Sequence, residues 1–85
     1  MASSPFYPAD VVRIARLADD ERDVDGSLDP PRQPRIGEIG IIVEQVGDDI
    51  YLVERCTDDG RTLWMAEFLA AELELVARQG LRTED

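Results

Sequence analysis

The feature that most constrains this chain is the way its apolar residues are parcelled. Through residue 63 they fall in short runs rich in β-branched residues, several of them closed by Gly/Asp turns. Ile41-Ile42-Val43-Glu44-Gln45-Val46 is followed by Gly47-Asp48-Asp49 and then by Ile50-Tyr51-Leu52-Val53-Glu54-Arg55-Cys56. That is the spacing and turn chemistry of a β-hairpin. Thr57-Asp58-Asp59-Gly60 carries acids for a type I turn and a glycine for the left-handed position, so a second hairpin leads into Arg61-Thr62-Leu63-Trp64-Met65. Upstream, Val11-Val12-Arg13-Ile14-Ala15-Arg16-Leu17 partly alternates, as a strand with one wet face does. Gly37 and Gly40 flank the entry to the 41–46 run and suit a bent strand, and the three successive apolar positions 41–43 imply burial on both faces. With 85 residues there is room for one core.

The last third is locally ambiguous. Residues 64–79 are rich in Ala, Leu, Met and Glu, with Gly80 placed as a stop, which reads as a helix. Met65, Phe68, Leu69, Leu73 and Val76 follow helical spacing, yet Leu73-Glu74-Leu75-Val76 also alternates like a short strand. Periodicity leaves both open.

Composition removes whole chemistries. The chain has no His, so the usual neutral-pH base, the commonest metal ligand and any Ser-His or Cys-His couple are absent. All nine cations are Arg, so there is no Lys for a Schiff base or a phosphate loop. Cys56 stands alone in a strand-like context and reads as a buried structural thiol. Paired carboxylates are abundant and therefore uninformative, and one small core rarely builds the cleft a glycosidase needs. The expectation is a non-enzyme with no cofactor and no metal site. Nineteen acids against nine cations give a net charge of −10, which repels nucleic acid and anionic lipid. Residues 1–8 lack the basic start and apolar stretch of a signal peptide, and no apolar run is long enough to span a bilayer. The expected compartment is the cytoplasm.

Between residues 18 and 34 hydrophobic periodicity is lost: Asp19, Asp20, Glu21, Asp23, Asp25 and Asp29 precede Pro30, Pro31 and Pro34. This reads as a long surface loop. Residues 21–29 imitate a calcium loop, with oxygens at alternate positions and Gly26 at the turn. The imitation fails where an EF-hand cannot: the first ligand is Glu21, the twelfth position is Arg32, and prolines occupy the start of the exiting helix. A solvated loop is the expected state.

The order of these pieces resembles a family of small SH3-like barrels. The residues that carry the resemblance are Asp10-Val11-Val12-Arg13-Ile14, Gly37-Glu38-Ile39-Gly40-Ile41-Ile42-Val43, Tyr51-Leu52-Val53 and the stretch from Glu67 to Val76. The barrel resembles that of a small accessory protein of photosystem I, the variable chain of ferredoxin-thioredoxin reductase, the nitrile hydratase β-subunit and uncharacterised bacterial proteins. The resemblance implies a mainly β, five-stranded barrel over residues 10–77, with a long acidic loop after the first strand. It also implies a short helical turn near residues 68–72 before a closing strand at 73–76. Residues 1–9 and 78–85 are then flexible ends. Barrels of this kind usually serve as docking or subunit-contact modules. Ferredoxin docking does not carry over, because the photosystem protein meets its acidic partner with basic residues. Nor does a metal site, since the nitrile hydratase metal belongs to the other subunit.

These readings converge on a non-catalytic interaction module or small accessory subunit that docks on a larger protein partner, itself basic. Asp19, Asp20, Glu21, Asp23 and Asp25 are the candidate contacts, and Tyr51 and Trp64 are candidates for an aromatic peptide groove if they are not core. Two alternatives remain: an acidic immunity- or antitoxin-type inhibitor of a basic partner, and a subunit of a nitrile hydratase-like complex. Composition leaves the oligomeric state open.

Overall fold

A computed structural model describes residues 5–19, 21–27 and 32–78. Five strands follow one another: β1 (Asp10–Ile14), β2 (Ile39–Gly47), β3 (Ile50–Cys56), β4 (Thr62–Leu69) and β5 (Leu73–Arg78). A single 3-10 turn, Ala70–Glu72, separates the last two. All five lie in one antiparallel sheet of order β4-β3-β2-β1-β5. β4 and β5 are its edges and do not pair with each other.

The two expected hairpins form where the turn residues stand. Gly47 faces Ile50 across a two-residue connection. In the second turn the Thr57 N–H donates to the Arg61 carbonyl at 2.7 Å, and Gly60 takes a φ of 90°. The core lies on one face of the curled sheet, where Val12, Ile14, Ile42, Tyr51, Val53, Trp64, Ala66 and Phe68 interdigitate. Phe6 joins them edge-on to Tyr51, with ring centroids 5.3 Å apart. The packed core therefore includes Phe6, upstream of β1.

One expectation about β2 is corrected. Ile42 is buried, but Ile41 and Val43 are 45% and 40% exposed, so the run is not covered on both faces. The strand keeps simple alternation through Gly40 and Ile42, and its register slips between Ile42 and Glu44. Gly40 lets the neighbouring side chains approach the β2 backbone closely: a Cβ at this position would lie 2.7 Å from Val53 Cγ1 and 3.2 Å from Trp64 Cη2.

The ambiguous last third is strand, turn and strand. β4 runs on to Leu69, and β5 returns along β1 with Leu73 opposite Ile14 and Leu75 opposite Val12. A helix would have left the outer edge of β1 without hydrogen-bond partners, a cost that outweighs the helical propensity of the segment. The segment before β1 is tied to the end of β5 by an ion pair between buried Asp10 and part-exposed Arg78. The Asp10 carboxylate accepts from Arg78 Nε at 3.2 Å and from the Tyr7 N–H at 2.8 Å. Arg78 also donates to the Pro5 carbonyl.

Candidate functional site

The acidic connection between β1 and β2 is anchored by Glu72, whose side chain is 3% exposed. Its carboxylate receives Arg22 at 2.6 and 3.0 Å, the Ala18 N–H at 2.6 Å and the Leu69 N–H at 2.9 Å. The Arg22 guanidinium lies 4.5 Å from the Phe68 ring centre and donates to the Glu67 carbonyl at 2.9 Å. Gln33 brackets Arg22 by bonding both its N–H and its carbonyl. Burial by itself would push the Glu72 carboxyl up, but the hydrogen bonds from Arg22, Ala18 and Leu69 outweigh it and hold the group below the ordinary glutamate range. Further along, the Asp25 main chain exchanges two hydrogen bonds with Met65, at 2.8 and 2.9 Å, and the Ser27 N–H donates to the Thr62 carbonyl. The connection thus runs along the outer edge of β4, where part of it pairs.

This placement makes one wall of an open trough of about 680 Å³. The floor comes from strand parity. Tyr51, Val53, Ala66 and Phe68 point into the core, so Ile50, Leu52, Met65, Glu67 and Leu69 point out, with Ile50 opposite Leu69 and Leu52 opposite Glu67. Leu69 is 44% exposed. Asp19, Asp23 and Asp25 line the wall. Among the described residues, no cation or side-chain donor pairs with the carboxylates of Asp19, Asp23, Asp25 or Glu67, and the trough's one arginine, Arg22, is engaged by Glu72. The result is an apolar floor rimmed by carboxylates that no cation of the described residues pairs with.

Of the candidate contacts, Asp19, Asp23 and Asp25 come together here, Glu21 is exposed outside the lining, and Asp20 lies outside the described residues. Tyr51 and Trp64 make no groove. Both are 0% exposed, because their positions on β3 and β4 face inward, and the Trp64 indole N–H donates to Glu38 at 3.1 Å. Glu38 is a second part-buried carboxylate: burial would raise its pKa, while hydrogen bonds from Arg32, the Arg35 N–H and Trp64 bring it down. Asp29, in the calcium-like stretch, lies outside the described residues, and the Asp25 main chain is held extended against Met65. Cys56 corrects the sequence reading: it is exposed at the end of β3, with its thiol pushed up by local desolvation and by the neighbouring Glu54.

Comparison of the chain with protein-family models, curated proteins and solved structures finds no match. The site is therefore read from its own geometry. No helix among the described residues is long and apolar enough to cross a membrane. The acidic wall is legible in the sequence, whereas the floor, Glu67, Arg22 and Glu72 are not. The outward parity of Ile50 and Leu52, once β3 is placed, is the signal that points to the floor.

Proposed function

We propose that this chain is a non-catalytic protein-interaction module or small accessory subunit, built on an SH3-like barrel, that docks a larger basic protein of the cytoplasm. The observation that carries this reading is the trough, in which desolvable apolar floor and unpaired acidic wall lie side by side. Apolar burial supplies affinity and the carboxylates supply steering and register. Three features support the barrel: the strand order with β5 beside β1, the long connection between β1 and β2, and the 3-10 turn before the last strand. Two features support a role without catalysis. The chain carries neither His nor Lys, and hydrogen bonds hold the carboxyls of buried Glu72 and part-buried Glu38 below the ordinary glutamate range, so neither is poised to give up a proton at neutral pH.

Affinity capture from the native host tests this, run at low and high salt with the wild-type chain and with an Asp19→Asn/Asp23→Asn/Asp25→Asn variant. A basic partner should be retained at low salt, released at high salt, and lost or strongly depleted with the variant. Retention that ignores both salt and the substitutions contradicts the reading.

A further inference from the structure

We infer that the trough receives an extended peptide segment in which cationic and apolar residues alternate, a segment belonging to the basic partner. This rests on the docking reading above and adds the conformation and pattern of what is docked. Along β4 the outward positions Met65, Glu67 and Leu69 read apolar, acidic, apolar at two-residue steps, each about 6.6 to 6.8 Å. On β3, Ile50 and Leu52 stand opposite Leu69 and Glu67. Asp23 and Asp25 on the wall repeat at the same two-residue interval. An extended peptide has this repeat, and so can seat apolar side chains on the floor while presenting cations to Glu67 and to the wall.

The edge of β4 is not the attachment point: Asp25 and Ser27 already pair with Met65 and Thr62, and Arg22 takes the Glu67 carbonyl. The segment therefore lies on the face of the hairpin and is read through side chains. A second copy of this chain is a poor occupant, since each carries a net charge of −10.

The test is an NMR titration of the full isotope-labelled chain with two short synthetic peptides of identical composition. In one, lysine and leucine alternate; in the other, the lysines and leucines are blocked. The alternating peptide should bind about tenfold more tightly, the worth of one well-placed apolar side chain. It should shift the amides of Leu52, Met65, Glu67, Leu69, Asp23 and Asp25. Glu67→Gln should weaken it about two- to fivefold, the worth of one exposed charge pair. Leu69→Ser, at an already exposed position, should weaken it further. Equal binding of the two peptides, or shifts mapping away from the trough, overturns this inference. If capture from the host nevertheless stays dependent on salt and on the wall acids, the docking reading stands without it; if capture fails too, both fall.

Discussion

Glu72 is the residue on which the shape of the trough depends, because four donors from three residues, Ala18, Arg22 and Leu69, meet on its two oxygens. Glu72→Gln keeps the volume but leaves the largely buried Arg22 facing a neutral amide. Breaking a buried pair in this way costs about 3 kcal/mol, which lowers Tm by roughly 10 °C or more in a domain of this size; thermal denaturation by circular dichroism measures it. Acid should act on the same contact. A carboxyl whose folded pKa lies below its unfolded value contributes stability that is complete above the unfolded value, about 4.3 for Glu, and is lost as pH falls through the folded one. Glu72 and Glu38 both lie on that side. Stability should be flat from neutral pH down to about 5 and then fall, and in Glu72→Gln the fall should be shallower. None of this is legible in the sequence, where Arg22 and Glu72 are 50 residues apart and each looks like one charge among many. Cys56 misleads for a related reason: its strand is half-buried, but the thiol falls at the end where the core stops.

At the scale of elements, local chemistry reveals more. Residues 50–56 read as a strand and are β3, because a turn with its own Gly and Asp residues bounds each side. Residues 41–43 mislead, since a run of branched residues reads the same whether the outward members are covered or left exposed. The segment after Trp64 is decided only by what it pairs with; β1 needs a neighbour, and helical propensity is the weaker term. The trough floor stays hidden because it is a product of register between β3 and β4, which composition does not specify. The close packing against Gly40 of β2 has its own test. In Gly40→Ala the added Cβ meets Val53 Cγ1, Trp64 Cη2 and, at 3.1 Å, the Glu54 carbonyl. Overpacking of this kind should cost about 1 to 3 kcal/mol, seen as a lower urea midpoint with an unchanged slope. A neutral or stabilised variant would show that β2 and β3 sit further apart than described.

For the whole molecule, two outward surfaces are candidates for the proposed docking. One is the acid-walled trough over β3 and β4. The other is the face across β5, β1 and β2, where Ala77, Val11 and Ile41 form a cross-strand row flanked by the Arg13–Glu74 ion pair and by Glu54. A chain this acidic meets a basic partner first through its field, and the contact that then lasts must bury apolar area. The trough has both in one place, with its acids free of side-chain partners among the described residues. Amide hydrogen exchange of the chain alone and in complex with its captured partner distinguishes the two faces. Exchange slowed at Asp19, Asp23 and Asp25 and along Met65, Glu67 and Leu69 is the predicted result; protection confined to Val11, Ile41 and Ala77, with the trough exchanging as in the free chain, would contradict it.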